Sequence, residues 1–547
     1  MIRAGTVGRF AIPVVATVLA ACDGGRAVAP SPVGSDVALG VAAFQVFTGD
    51  TAGGPLRFPA AGAAGAQYLL VGQFATSIPD VSASVTLTGT SPAPLAALVA
   101  PAPPASPVAE PIALRFHDAI RAMDAAVAAE SQGMAARGIH AAPPAPAGPV
   151  KLESRRTFKV CSNISCSTTA QVPATARFVG EHSAIFVDDS APAGGFTAGD
   201  LQQLGQQFDT DLYPVDVNAF GNESDLDGNG VVIILFTRKV NGMVGRTDCQ
   251  TSFITGFFLG ADLAPATRGR YNDGEIFYGL VPDPAGTVSC AYSVPEVKAL
   301  VPPTFIHEFQ HMISFNQHVL MRGGSTEILW LNEGLSHLAE ELGGWHFDSL
   351  GTPAGDTMAS RFLFGDLYNA NLYLTRPGPN PMVTVTVPGA LEARGAEWLF
   401  LRYLVDRFGP ATTRSLVQTA LLGDANVVNA TRTAFATLLG RWAVALYVSD
   451  LPAFTPDSLL TYRQWRLRST FASLHQVDPA DFPRSFPLVP AAFAGGSFSA
   501  GGTVTSGSGA YVVVTQPAGG ASFSVTFGVG GGKTGVAHPQ VVVVRLR

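Results

Sequence analysis

The stretch Pro302-Pro303-Thr304-Phe305-Ile306-His307-Glu308-Phe309-Gln310-His311-Met312-Ile313-Ser314-Phe315-Asn316 decides how this chain is read. Phe305, Ile306, Phe309, Met312 and Ile313 recur at helical spacing and predict a buried stripe, with Pro302 and Pro303 suited to a helix start. On that helix, over about 302–320, His307 and His311 stand four residues apart, on one face and one turn along. Two imidazoles so placed can reach one zinc ion at about 2.0–2.1 Å. Glu308 follows the first of them and can reach a water on the metal, where it would act as general base. Five of the ten histidines (His307, His311, His318, His337 and His346) fall in this neighbourhood, so the signal is local rather than compositional.

A third ligand is expected at Glu333. Trp330-Leu331-Asn332-Glu333-Gly334-Leu335 lies on a second predicted helix, about 326–342, capped by Ser325 or Thr326 and ended by Gly343-Gly344. Folded back on the first helix, it would aim Glu333 at the same metal. Two His and one Glu leave a fourth position for water, as a catalytic zinc requires. Glu340 and His337 are candidates to orient the ligands, or are solvated. Glu327, Glu340 and Glu341 are the acids expected to be exposed.

The string from His307 to Asn316, followed by Trp330-Leu-Asn-Glu-Gly-Leu-Ser-His337, resembles the gluzincin clan of zinc peptidases, and most closely the hyicolysin family of bacterial extracellular metallopeptidases. Ala184-Ile-Phe-Val-Asp188, Asp225-Leu-Asp-Gly-Asn-Gly230, Glu275-Ile-Phe-Tyr278 and Leu399-Phe-Leu-Arg-Tyr-Leu404 agree with it. The likeness covers roughly 155–485. It implies an α+β fold with a thermolysin-like zincin domain: a β-sheet whose edge strand lines the cleft, two zinc-binding helices and a helical lobe. It implies a hydrolase, a zinc-dependent endopeptidase acting on proteins or peptides, with His307, His311 and Glu333 on zinc and Glu308 as base. In the clan a downstream Tyr or His stabilises the oxyanion. One branch places a Tyr three residues before a Gly-Ala pair; here Gly395-Ala396 is present, but Glu392 stands at the Tyr position. Tyr403 is the first choice for the role, with Tyr368, Tyr373 and His346 as alternatives.

The rest of the chain sets compartment and organisation. At 547 residues, net charge −7 and no Lys/Arg run, it does not suit a nucleic-acid binder. Arg3 and Arg9 precede the apolar run Ala11–Ala20, and Leu19-Ala20-Ala21-Cys22 resembles the lipobox of bacterial lipoproteins. The expectation is a signal peptide over 1–21, with the mature chain exported and anchored at the cell envelope by lipid on Cys22, or secreted. A tether (22–35), an N-terminal β-module (36–92), an Ala/Pro-rich linker with one helix over Ile112–Ala136 (93–150), the peptidase domain (155–485) and a C-terminal β-module (490–547) would follow. The segment 93–150 reads as either a pro-segment or a spacer. Tyr68–Val71 and Ser84–Leu87 have weak likenesses in Tyr511–Val514 and Ser524–Phe527. The four cysteines after Cys22 suggest two disulfides; locality favours Cys161–Cys166 and Cys249–Cys290 among three connectivities. Asp225, Asp227 and Asn229 match the first half of a calcium loop, whose twelfth position is Phe236, so a plain turn into a strand competes with a calcium site. The alternative function is a non-catalytic surface lipoprotein that binds glycan or protein through its β-modules. The oligomeric state is not legible.

Overall fold

The computed structural model describes residues 31–32, 35–48, 54–91, 112–385, 391–531 and 537–547. The expected signal peptide and Cys22 lie outside them.

Strands from the two ends of the chain interleave. β1 (Ser31–Pro32), β2 (Phe44–Thr48), β3 (Leu56–Phe58), β4 (Ala66–Phe74) and β5 (Ser82–Thr90) come from one end. β12 (Ala491–Ala494), β13 (Phe498–Thr505), β14 (Gly509–Gln516), β15 (Phe523–Gly530) and β16 (Pro539–Arg545) come from the other. They form two sheets, ordered β1-β2-β16-β4-β14-β12 and β13-β5-β15-β3. β5 turns Ala83, Val85 and Leu87 into the core between Ser82, Ser84 and Thr86, the alternation of a half-buried strand. These residues share one apolar cluster with Leu70, Val514, Val525 and Phe527.

The expectation of two separate β-modules is therefore corrected: the two ends build one sandwich. The strands that look alike are neighbours in these sheets. Tyr68 lies opposite Val514, Val71 opposite Tyr511, and Leu87 opposite Phe527. Each end supplies the partner that the other's edges need. A chain ending at residue 489 would strip β4 of both β14 and β16, and β5 of both β13 and β15. Such a truncation is expected to drive the protein into the insoluble fraction, which a comparison of soluble yield with the full chain checks.

Between these ends lies a mixed six-stranded sheet of β6 (Arg155–Cys161), β7 (Thr169–Val179), β8 (Ser183–Asp188), β9 (Val232–Phe236), β10 (Gly256–Phe258) and β11 (Ile276–Gly279). Its order is β10-β11-β9-β8-β7-β6, with β8, β9 and β11 parallel at the centre. Val232-Ile-Ile-Leu-Phe236 is apolar throughout because both faces of β9 are covered. β10 is antiparallel to β11 and is the edge strand of the sheet. α2 (Ala198–Gln207) and α3 (Tyr213–Phe220) connect β8 to β9, and α4 (Arg238–Asn241) follows β9. Cys161–Cys166 and Cys249–Cys290 are both bonded.

A helical region follows: α5 (Val294–Phe315), α6 (Leu329–Asp348), α7 (Pro353–Thr375), α8 (Leu391–Phe408), α9 (Ala411–Val417), α10 (Gly423–Thr431), α11 (Phe435–Val448) and α12 (Leu467–Val477). Among the described residues, no helix is long and apolar enough to cross a membrane. The stripe Phe305, Ile306, Phe309, Met312 and Ile313 is buried as expected.

The helix ends differ from expectation. α5 starts two turns early, where Ser293 and Glu296 form a capping box, and Pro302-Pro303 sit inside it. α6 runs through Gly343-Gly344 to Asp348. Side chains of α7 pack where Cβ atoms would otherwise stand: Phe362 at 2.8 Å from that position on Gly343 and Leu363 at 2.7 Å on Gly344. Those glycines serve close helix approach rather than termination. Glu327 and Glu341, expected at the surface, are 4% and 0% exposed.

The helix over Ile112–Ala136, α1, has the expected bounds. It is packed into the core through Leu114, Phe116 and Ile120, against the segment that contains β10.

Candidate metal centre

α5 presents His307 and His311 toward α6, which packs against it and brings Glu333 to the same point, while Glu308 turns toward β10. His307 Nε2 and His311 Nε2 are 3.2 Å apart. Glu333 Oε2 lies 3.7 Å from His307 Nε2, and Glu333 Oε1 lies 3.6 Å from His311 Nε2. A tetrahedral zinc with bonds of about 2.0–2.1 Å has ligand atoms about 3.3–3.4 Å apart, close to this triangle.

The tautomers sharpen the fit. His307 Nδ1 is 2.8 Å from Glu340 Oε1, and His311 Nδ1 is 3.1 Å from Asn332 Oδ1. Both partners are acceptors, so each ring carries its proton on Nδ1. Two Nε2 lone pairs then face each other beside a carboxylate. Glu333 Oε1 is buried without a hydrogen bond. Facing lone pairs and an unsatisfied buried carboxylate oxygen are what a divalent cation relieves.

Glu340 links His307 to a second histidine: His337 Nδ1 is 3.1 Å from Glu340 Oε1 and 2.9 Å from Asp366 Oδ1. Burial lowers the His337 pKa, but Glu340 and Asp366 override it and lift it to about 10. Asp366, on α7, had no sequence signal.

Glu308 is 1% exposed, and burial raises its carboxyl above the usual range. Its Oε2 accepts the Phe258 N–H of β10 at 2.7 Å. Glu333 is likewise buried, but Arg394, then His311 and His307, hold it well below the usual carboxylate range. Arg394, near the start of α8, donates to Glu333 Oε2. Its Nε and Nη2 make no hydrogen bond. With His117, His307, Glu308 and Glu340 it lines a cavity of about 240 Å³.

Sequence reasoning missed Arg394, although it stands next to the Gly395-Ala396 pair. Gly395 has a packing role: a Cβ there would meet the Asn369 carbonyl carbon at 2.3 Å, so α7 and α8 touch backbone to backbone. That contact sets the position of Arg394.

The favoured oxyanion residue is not brought to the site. The Tyr403 hydroxyl donates to the Leu459 carbonyl at 2.8 Å, and its ring packs on Tyr462. Tyr403 lies more than two turns along α8 from Arg394 and does not line the cavity. The alternatives are also engaged elsewhere. His346 Nε2 is 3.0 Å from Asp211, Tyr373 is 3.4 Å from Ser508 Oγ, and Tyr368 packs between Phe364 and Phe482.

At the expected calcium loop, Asp225 and Asp227 come together with Glu275, close enough for the three to hold a cation. The Asn229 carboxamide donates to Asp227 Oδ2 and accepts the Val231 N–H. Arg156 Nη1 stands 3.4 Å from Asp227 Oδ2 and supplies positive charge there.

No protein-family model matches the chain. Neutral metalloprotease ShpI of Staphylococcus hyicus is 25% identical over 193 residues, which are 35% of this chain. The chain thus spans 41% of that relative's length. A crystal structure of an M1 zinc metallopeptidase from Deinococcus radiodurans matches 53% of this chain and 48% of its own, at 15% identity and a TM-score of 0.24. Another from the same organism, bound to a Tyr-Ser-Ala substrate, matches 53% of this chain and 51% of its own, at 14% identity and a TM-score of 0.26.

Proposed function

We propose that the chain is a zinc-dependent peptidase that cuts protein or peptide substrates outside the cytoplasm. The observation that carries this reading is the pair of facing Nε2 atoms of His307 and His311, closed by Glu333, with the Glu308 carboxylate in the same cavity. Zinc held by such a set acidifies water and polarises a carbonyl.

The chain's own groups do the rest. Glu340 and Asn332 fix the two imidazoles in the tautomer that leaves Nε2 open. Glu308 takes a proton from water and returns it to the departing amine, a task suited to a carboxyl raised by burial. Arg394 takes the oxyanion role in place of Tyr403, because it lines the cavity with His307 and Glu308 and has Nε and Nη2 without a hydrogen bond, whereas Tyr403 does not line it. Two disulfides suit an exported protein. Lipid on Cys22 at the cell envelope is part of the proposal, from the sequence of residues 1–22. A calcium ion at Asp225 and Asp227, with Glu275 beside them, is not part of this reading; Arg156 and the loop's amides supply positive charge and donors there.

Protein isolated from its own host without chelator is expected to contain about one zinc per chain. A chelator should abolish casein hydrolysis and added zinc should restore it. His311→Ala should lose the metal. Hydrolysis that persists after the zinc has been stripped would sink the reading.

A further inference from the structure

We propose that α1 is an inhibitory plug, seated across the cleft at Glu308 and released when the chain is cut within residues 137–150. The proposal rests on the peptidase reading above and adds its regulation. A peptide entering that site needs two things open: the Glu308 carboxylate and the outward backbone of edge strand β10, which an extended chain can join as one more strand. α1 engages both. Arg121 Nη2 donates to the Phe258 carbonyl at 2.7 Å and stands 4.0 Å from Glu308 Oε2. His117 Nδ1 lies 4.0 Å from Glu308 Oε1. The Phe258 N–H is itself held by Glu308. Both backbone groups of Phe258 are therefore occupied, and the carboxylate is flanked by a guanidinium.

The seat continues along the next three turns. Asp124 Oδ1 accepts the Gly260 N–H at 2.6 Å, and Ser131 Oγ accepts the Ala266 N–H at 3.1 Å. Phe116 sets its edge on Phe257 at 4.9 Å. Arg121 and Asp124 are 6% and 3% exposed and stand 3.4 Å apart. Burying a charged pair is unfavourable unless geometry compensates it, and a plain spacer helix has no use for one. α1 also walls two cavities. One, of about 240 Å³, lies over His307 and Glu308; the other, of about 610 Å³, lies beyond Arg121 toward Glu327 and Asn332. Because α1 forms a wall of each, its withdrawal opens both.

The release point follows from exposure. Residues 135–140 are exposed, and 139–148 form neither helix nor strand, so a protease can reach them. The cut is hydrolysis of one peptide bond: water adds across it and leaves a carboxylate and an amine. The cut chain stays whole at its base, because β4 and β5 remain paired with β14, β15 and β16. α1 loses its covalent hold on the peptidase sheet and can leave the cleft.

To test this, residues 141–146 of the full chain are replaced by a recognition sequence for a site-specific protease, and uncut and cut protein are compared. The readouts are hydrogen exchange at the Phe258 and Gly260 amides, affinity for a peptide hydroxamate, zinc content and casein hydrolysis. Cutting is expected to speed exchange and tighten hydroxamate binding by about tenfold or more, at unchanged zinc, and to switch on hydrolysis. If exchange and affinity rise without hydrolysis, the plug stands and the peptidase reading fails. A cut, zinc-loaded protein that keeps the uncut exchange and affinity overturns the plug, as does uncut protein that binds and hydrolyses as well as cut. Should cutting unfold the chain, uncut Arg121→Gln is measured instead. A rise of about threefold in its hydroxamate affinity supports the plug, and no rise overturns it.

Discussion

Glu308→Gln is expected to lower casein hydrolysis by about 10²–10⁴-fold while zinc stays near one per chain, in protein processed as by its host. The substitution changes one atom in a site whose geometry it can keep. The retained carbonyl oxygen can still accept the Phe258 N–H, now held at 2.7 Å. The metal triangle of His307, His311 and Glu333 does not include Glu308 and has its own supports in Glu340 and Asn332. What is lost is the capacity to take a proton, because a carboxamide cannot. A fall in rate with zinc loss would point to misfolding instead, so metal content must be measured on the same sample. A variant that keeps both its zinc and its parent's rate would show that another group is the base. Glu308→Asp separates distance from basicity: it keeps a carboxylate but withdraws it by one methylene, so an intermediate loss is expected.

The legible parts of this protein were those written in local periodicity. His307, Glu308 and His311 lie within one helical turn and a third, so i, i+4 geometry alone places both imidazoles together. Glu333 required only that the next helix return, which a short connection makes the default. The illegible parts depend on which distant segments meet. Arg394 reaches Glu333 across 61 residues, on a helix that packs backbone to backbone against Asn369 at Gly395. Tyr403, on the same helix, was the chemically reasonable choice, but its position along α8 carries its hydroxyl to Leu459. Asp366 pairs with His337 through a helix whose sequence carries no mark of a site. The sandwich is misread for a related reason: period-two alternation identifies strands but not their partners, and here the partners are about 440 residues apart. α1 was legible as a helix and not as an occupant of the cleft, because its seat depends on Phe258 and Gly260, which lie over 130 residues away.

Glu341 is the case where sequence expectation and structure differ most, and it carries the largest stability effect. A glutamate on a helix is ordinarily solvated. This one is 0% exposed and accepts three indole N–H groups: Trp345 at 2.9 Å, Trp398 at 3.0 Å and Trp465 at 2.7 Å. Arg402 Nη1 adds a fourth contact at 3.5 Å. α6, α8 and the segment before α12 are thus joined through one carboxylate. Glu341→Ala would leave the three indole donors without their acceptor and open a cavity beneath them, a loss of about 3–5 kcal/mol. It is expected to lower the thermal midpoint and to release the 398–465 region first in hydrogen exchange. Glu341→Gln should lose less, about 1–3 kcal/mol, because its carbonyl oxygen still accepts while its amide competes with the indoles as a donor. The guanidinium is the smaller part of this arrangement, since Arg402 keeps Asp406 at 2.9 Å when Glu341 is gone. Arg402→Met in the Glu341→Gln background is therefore expected to recover little. A large recovery would mean that the buried charge of Arg402, rather than the three indoles, is what Glu341 is there to satisfy.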